Sequence, residues 1–90
     1  MVSTESAAFR RAFGGAVRTL REKCALSQEK LSFESGLDRT YISGVERGVR
    51  NPTIEVIQRL ATALQTKSSK LLALTEKLFE AGPSTRPTRA

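Results

Sequence analysis

The stretch SQEKLSFESGLDRTYISGVERGVRN, residues 27–51, indicates two short helices joined by a tight turn. Ser27 is a good cap for the first helix, because its hydroxyl accepts a hydrogen bond from an amide of the first turn. Leu31 and Phe33 are the apolar residues expected to anchor this helix in a core. Ser35-Gly36 then ends it, since glycine takes the left-handed conformation without a steric clash. The chain is therefore predicted to turn sharply at this glycine.

The second helix follows at once and is also marked at both ends. Asp38 is the predicted cap and Gly48 the predicted stop. Three apolar residues between them recur at helical spacing and define the inner face: Tyr41, Ile42 and Val45. Two helices this short, joined by about four residues that include a glycine, form a helix-turn-helix unit. The sequence predicts this unit at residues 27–47.

The same residues resemble the Cro- and lambda-repressor-like (XRE-type) helix-turn-helix family. The resemblance rests on four runs: Leu26–Leu31, Gly36–Ser43, Val45–Gly48 and Arg50–Thr53. Within the family, Asp38–Ser43 followed by Arg50-Asn51 is most similar to the controller proteins of restriction-modification systems. A match across both helices, the turn and the next loop is more specific than a short motif. It implies an all-α fold, a compact five-helix lambda-repressor-like domain that binds double-stranded DNA.

Composition fits one small domain with a basic surface. Ninety residues suit a single domain, predicted at residues 7–81, with residues 1–6 and 82–90 as disordered polar tails. The chain has 15 Lys+Arg against 9 Asp+Glu, a formal net charge of +6, which favours a polyanionic partner. A solvated basic surface gives the same balance, so charge alone decides little.

The scarcity of cysteine and histidine limits the possible chemistry. Cys24 is the only cysteine and histidine is absent, so neither an intrachain disulfide nor a Cys/His zinc site can form. The commonest general base is also missing, and we predict no enzyme, no catalytic residue, no metal and no cofactor. Cys24 is expected to be a small buried hydrophobic residue.

Neither a membrane span nor a secretory signal is predicted. No run approaches the ~18 apolar residues that a bilayer requires. The first residues, MVSTESAAFRRAFGG, lack a basic region followed by an apolar core. We expect a cytoplasmic, nucleoid-associated protein with no membrane partner.

The first helix is predicted from Ala7 to Lys23. Its apolar stripe recurs every three or four residues, at Phe9, Phe13, Val17, Leu20 and Cys24. Its basic opposite face is either solvated or close to phosphates. Gly14 and Gly15 lie inside it and each cost about 1 kcal/mol relative to alanine. In the resembled family, a small residue there lets a neighbouring helix pack closely.

Two residues depart from the resembled family. Ala25 stands where glycine is usual, so either it adopts a left-handed conformation at a cost of about 1 to 2 kcal/mol or the first helix ends by a different turn. Ser32 stands where alanine is usual, and its hydroxyl is expected to bond to a carbonyl of its own helix.

Two further helices complete the domain. Thr53 caps a third apolar pattern, expected to close the core with Ile54, Ile57, Leu60, Ala61 and Leu64. Ser68 or Ser69 is the expected cap of a last helix at residues 68–80. That helix has two apolar lines, Leu71, Leu74 and Leu78 on one and Leu72 and Phe79 on the other.

The two apolar lines allow two interpretations. They form either a broad core face or a self-complementary patch that pairs across a two-fold axis. The resembled family commonly dimerises through this region, and we predict a homodimer interface that contains Leu71, Leu72, Leu74, Leu78 and Phe79.

The residues expected to contact DNA lie on or beside the second helix of the unit, which enters the major groove in this type of motif. Arg39, Thr40 and Ser43 point away from its inner face and are the predicted base contacts. The predicted phosphate contacts are Gln28, Tyr41, Arg47, Arg50 and Asn51. For Gln28 this role is implied by the resemblance, since it resembles the phosphate-contacting glutamine of the family. Gly44 offers no side chain, and Glu46 is expected to pair with an arginine of the first helix or of the opposite subunit.

The predicted function is sequence-specific regulation of transcription. A homodimer would set two such helices about one DNA turn, ~34 Å, apart on an inverted repeat. Its occupancy of a promoter would repress transcription or recruit RNA polymerase by position. The alternative is an antitoxin or bridging protein that uses the same helical scaffold to hold a protein partner.

Overall fold

The computed structural model describes residues 4–82, which form five helices and no strand. The helices are α1 (Thr4–Lys23), α2 (Gln28–Ser35), α3 (Arg39–Arg47), α4 (Ile54–Ala63) and α5 (Ser68–Ala81). The predicted all-α, five-helix fold is therefore confirmed. Within this part of the chain, no helix combines the length and hydropathy of a membrane span.

The ends of α2 and α3 follow the signals in the sequence. Ser27 Oγ accepts a hydrogen bond from the amide three residues later at 2.9 Å, and Asp38 Oδ2 accepts one from the amide two residues later at 3.1 Å. Gly36 and Gly48 end the two helices with positive φ angles of 73° and 80°. Local chemistry thus determines where the turn between α2 and α3 lies.

The core lies between α1, the helix-turn-helix unit, α4 and α5. α5 packs along α1, and α1 also packs against α3. Every helix contributes buried apolar residues, and Leu64, directly after α4, is also buried. The buried apolar residues are Phe13, Ala16, Val17, Leu31, Ile42, Val45, Leu60, Ala61, Leu64 and Leu71. The predicted inner faces of α1, α3 and α4 are confirmed by most of these residues.

Two residues predicted for the core are exposed instead. Phe33 is 80% exposed, because it lies two positions after the buried Leu31 and so points to nearly the opposite side of α2. Ile54 is 84% exposed, since it is the first residue of α4 and lies between the exposed Thr53 and Glu55. Both predictions were wrong for geometric reasons.

Three other predictions need correction. Helix α1 begins at Thr4, not Ala7, and Glu5 lies in its first turn, where a carboxylate interacts favourably with the helix dipole. Of the two predicted tails, residues 1–3 and 83–90 lie outside the described residues. Lys67, without a side-chain hydrogen bond, precedes α5 in place of a serine cap. Cys24 is only half-buried, because its thiol lies at the end of α1, where it donates to the carbonyl of Leu64 at 3.5 Å.

The two departures from the family pattern are both accommodated in turns. Ala25 adopts a left-handed conformation with φ 58°, the strained alternative, at a cost of about 1 to 2 kcal/mol. The carbonyl of the next residue, Leu26, accepts a hydrogen bond from Arg21 Nη1 at 2.9 Å, which holds this turn. The Ser32 hydroxyl donates to the carbonyl of Leu37 and not to one in its own helix, because the turn returns the chain over α2.

The two glycines inside α1 have different surroundings. A Cβ on Gly14 would lie 2.5 Å from the carbonyl oxygen of Glu46 and closer still to that of Val45, both in the backbone of α3. A Cβ on Gly15 would meet only Leu78 Cδ1, at an ordinary 3.6 Å. Gly14 therefore sets the distance between α1 and α3, and the expected close packing of a neighbouring helix is found at this residue.

We predict that Gly14→Ala destabilises the domain by about 1 to 3 kcal/mol or more, because a rigid backbone must move to admit the methyl group. Gly15→Ala is the matched control, and it should be neutral or stabilise the protein by up to about 1 kcal/mol, since alanine favours the helix. Urea unfolding of both variants measures the difference. Equal stabilities would contradict the close approach of α1 and α3.

Candidate nucleic-acid interface

Helix α3 has a buried side and an open side. Ile42 is 0% and Val45 1% exposed, so these two residues fix the side of α3 that faces the core. Arg39 and Thr40 are exposed at the opposite side, and Ser43 is half-buried beside them. The structure therefore brings together the three predicted base-contacting residues on one accessible surface, and their contact with bases stays a prediction.

A buried ion pair holds α3 against α1. Glu46 accepts hydrogen bonds from Arg21 Nε at 2.6 Å and from Arg21 Nη2 at 3.0 Å. The side chains of Glu46 and Arg21 are only 5% and 12% exposed. The hydrogen bond to Glu46 is the main cause that raises the pKa of Arg21 above its ordinary value, so the guanidinium stays charged although it is largely buried. Glu46 was predicted to pair with an arginine either of the first helix or of the opposite subunit, and within this chain its partner is Arg21 of α1.

Gln28 joins the same group of side chains. Its Nε2 donates to Glu46 Oε1 at 2.9 Å, which links α2 to the ion pair between α1 and α3. The carboxamide nitrogen has two hydrogens, so this bond leaves one for the phosphate contact predicted from the sequence. The phosphate contact of Gln28 remains a prediction. The structure shows in addition that Gln28 helps to connect α1, α2 and α3.

Of the remaining predicted phosphate contacts, Arg47 lies in the last turn of α3, Arg50 and Asn51 lie in the loop after it, and Tyr41 lies in the first turn. Arg47 is exposed, and its Nε donates to Ser43 Oγ at 3.4 Å. Asn51 is also exposed. Arg50 folds back, and its guanidinium carbon lies 5.7 Å from the centre of the half-buried Tyr41 ring. Arg47 and Asn51 are thus accessible, whereas Tyr41 packs against the core and against Arg50. The contact of these four residues with phosphates stays a prediction.

Three arginines at α3 and the loop after it have no ion-pair partner in the part of the chain that the structure describes. Within residues 4–82, no ion pair involves Arg39, Arg47 or Arg50. Other surface cations, such as Lys70 and Lys77 of α5, are unpaired in the same way, so the absence of pairs is not special to α3. The exposed Arg39 and Arg47 therefore give the open side of α3 positive charge that no ion pair among the described residues neutralises.

The sequence did not reveal one arrangement on this side. A Cβ on Gly44 would lie 2.8 Å from Arg50 Cγ and 3.4 Å from Val49 Cγ2. Both residues of the loop after α3 therefore cover the glycine, which is buried. Gly44 itself was the available signal, since a glycine inside a nine-residue helix often marks a close approach of other atoms.

The predicted dimer helix is more covered than the sequence suggested. Leu71 is fully buried in its own chain, so it is a core residue and was wrongly assigned to the interface. Leu72, Leu74 and Leu78 are half-buried and pack on the core. Phe79 packs edge-on against Phe9, with ring centres 5.2 Å apart. Part of the two apolar lines is thus a broad core face, and pairing of two chains stays a prediction.

Comparison with known proteins places the chain in a family. Residues 17–71 match the family model described as helix-turn-helix. The chain is similar to control protein C.BamHI of Bacillus amyloliquefaciens, with 47% identity over 70% of this chain and 79% of that protein. It is also similar to control protein C.SmaI of Serratia marcescens, with 52% identity over 62% and 67% of the two chains.

Solved structures give the same result. The restriction-modification controller protein C.AhdI of Aeromonas hydrophila has a TM-score of 0.68 and 50% identity, over 69% of this chain and 94% of that one. The controller protein C.Esp1396I, crystallised as a tetramer with its natural 35-base-pair operator, has a TM-score of 0.74 and 29% identity, over 80% and 95%. This chain therefore belongs to the helix-turn-helix family, in the group that includes the restriction-modification control proteins.

Proposed function

We propose that this chain is a transcriptional regulator that binds an inverted-repeat operator in double-stranded DNA as a homodimer. The observation that carries the proposal is the open side of α3, where Arg39 and Thr40 are exposed and no carboxylate of residues 4–82 forms an ion pair with Arg39 or Arg47. Such a helix suits the major groove, because arginine reads guanine there and additional cations hold phosphates. The operator complex of C.Esp1396I supports this use of the fold.

In the proposed mechanism, the protein acts by occupying its operator and catalyses no reaction. Two copies of α3, about one DNA turn or ~34 Å apart, would engage the two halves of the operator. The bound dimer would then block a promoter or recruit RNA polymerase at the chromosome, in the cytoplasm. The alternative of an antitoxin or bridging protein is not favoured, since the similar proteins are control proteins and an operator complex is among the similar structures.

We predict that Arg39→Ala weakens binding to the selected operator by about 1 to 3 kcal/mol and relaxes the preference for one guanine in each half-site. Arg18→Ala is a matched control, because it removes the same charge from an exposed arginine that already pairs with Glu22. Selection of bound sequences from random double-stranded DNA, followed by titration of single-base operator variants, measures both effects. An unchanged base preference for Arg39→Ala would refute its assignment as a base contact.

A further inference from the structure

Two arginines in the first half of α1 lie against the end of α3. Arg10 Nε donates to the carbonyl oxygen of Gly48 at 3.4 Å. A Cβ on Gly48 would lie 2.6 Å from Arg11 Cγ and 2.8 Å from Arg11 Cα, so the backbone of α1 also approaches this glycine. Because Gly48 has no side chain, the first half of α1 can rest directly on the end of α3.

This contact brings cations from two helices together. Arg47, the residue before Gly48, is exposed, as is Arg11, whereas Arg10 is half-buried. We call Arg10, Arg11 and Arg47 the arginine cluster. Within residues 4–82, no ion pair involves any of the three. Like charges on neighbouring side chains repel one another, so an anion beside the cluster would be attracted by all three.

The other two arginines of α1 already have carboxylate partners. Arg18 pairs with Glu22 at 3.1 Å, and Arg21 is buried with Glu46. By contrast, the hydrogen bond to Gly48 occupies only Nε of Arg10, and the two Nη groups keep their donors. The sequence left open whether the basic face of α1 is solvated or close to phosphates, and the structure thus divides its arginines into a paired set and an unpaired set.

We propose that Arg10 and Arg11 bind phosphates of the operator backbone, beside those predicted for Arg47, and extend the DNA-binding surface onto α1. DNA is the partner that fits, because the arginine cluster is continuous with the open side of α3 through Arg47. Phosphates fit better than bases, since the N-terminal end of such a helix reaches base edges and both arginines lie at its other end. A guanidinium can bond two phosphate oxygens at once. The proposal rests on the proposed function, since it adds contacts to the same complex.

The position of the two arginines is fixed relative to α3. Residues 11 and 14 lie on the same face of α1, and a Cβ on Gly14 would also collide with the backbone of α3. Helix α1 therefore touches α3 at two places, Gly14 and Gly48. Phosphate contacts from α1 would hold α3 in one orientation in the groove, although they carry no sequence information themselves.

The first test is the salt dependence of binding to an operator fragment selected by the wild-type chain. Each phosphate contact contributes about 0.9 to the slope of log K against log salt, and a dimer makes each contact twice. Arg11→Ala should therefore reduce the magnitude of the slope by about 2, and Arg10→Ala by a similar amount. Neither variant should change the base preference. Arg11→Lys should keep most of the slope, because lysine binds phosphate as a point charge.

Arg18→Ala is the matched control for both variants. It removes the same charge from the same face of α1 as Arg11, two turns further along, where the arginine already pairs with Glu22. Its slope should change by less than about 0.5. Circular dichroism and thermal unfolding show whether each variant is folded. If Arg10→Ala unfolds because it loses the bond to Gly48, Arg11→Ala and Arg11→Lys still test the proposal.

The second test locates the contacts with neutral methylphosphonate groups, introduced at one phosphate of the operator at a time. Wild-type binding should weaken wherever a contacted phosphate is replaced. Arg11→Ala should lose this sensitivity at a phosphate in each half-site and keep it elsewhere. Arg18→Ala should keep the wild-type pattern at every phosphate.

The outcomes separate this proposal from the proposed function. If the wild type selects an inverted repeat, but folded Arg11→Ala keeps the slope and the phosphate pattern of Arg18→Ala, α1 does not contact DNA and the proposal is overturned. A changed base preference in Arg11→Ala would identify a base contact and overturn it as well. If the folded wild type enriches no sequence from random DNA, the proposed function fails together with it.

Discussion

Replacing Glu46 with alanine should lower the free energy of unfolding by about 3 to 5 kcal/mol, because the change leaves the charge of Arg21 buried without its partner. Arg21 is only 12% exposed and makes two of its hydrogen bonds to this carboxylate. Gln28 loses its acceptor at the same time. Since small domains are stable by about 5 to 15 kcal/mol, the variant should be close to unfolding at 37 °C. Urea unfolding monitored by circular dichroism measures the loss.

Two further variants identify the cause of that loss. Glu22→Ala breaks the exposed pair with Arg18, whose side chains are 65% and 57% exposed, and should cost less than about 1 kcal/mol. Replacing Arg21 with methionine and Glu46 with leucine removes both charges, and the double variant should recover much of the lost stability. Similar costs for Glu22→Ala and Glu46→Ala would show that the buried pair has no special role.

The ion pair also bears on function through the helices that it joins. Glu46 belongs to α3, Arg21 to α1 and Gln28 to α2, so their hydrogen bonds fix α3 relative to both neighbours. Gly14 allows the backbones of α1 and α3 to approach on the same side. The orientation of α3, and with it the direction of Arg39, therefore depends on contacts on the side of α3 that faces away from DNA in the proposed complex.

Features of the fold that depend on local chemistry could be predicted from the sequence. Ser27, Asp38 and Thr53 each cap a helix, and Gly36 and Gly48 each end one, as expected. These signals act over two to four residues, so no knowledge of the tertiary structure is needed. Together with the apolar spacing, they determined the helix-turn-helix unit and the exposed side of α3.

Features that depend on distant neighbours could not be predicted. Phe79 was expected to be exposed for pairing, but its ring packs on Phe9, which is 70 residues earlier in the chain. The close approach of the Arg50 side chain to Gly44 of α3 was not predicted either, and the phosphate contact of Arg50 stays a prediction. The direction of a long side chain after a turn depends on where the next helix begins, and sequence spacing does not contain that information.

The apolar surface of α5 that is available for a dimer contact is smaller than the sequence suggested. Leu71 belongs to the core, and Phe79 already packs against Phe9 in the same chain. Leu72, Leu74 and Leu78 remain half-exposed at most, and they flank the buried centre of α5. Full burial of a leucine side chain contributes about 1.5 to 3 kcal/mol, and each of these half-buried leucines would gain a fraction of that free energy in a dimer. A symmetric contact that buries several leucines from each chain can therefore hold two copies together.

A glutamate at residue 72 should therefore yield a folded monomer with greatly weakened operator binding. Leu72→Glu places a charge in the proposed interface but leaves the Phe79 ring on Phe9 and the Leu71 side chain in the core. Loss of the second half-site should reduce operator binding by about 10²- to 10⁴-fold, while binding to a single half-site changes little. Phe33→Glu is the control, because it makes a similar change at an exposed residue of α2 and should remain dimeric. Sedimentation equilibrium at micromolar concentration gives the mass of each protein, and a wild type that sediments as a single 9.9 kDa species would contradict the dimer.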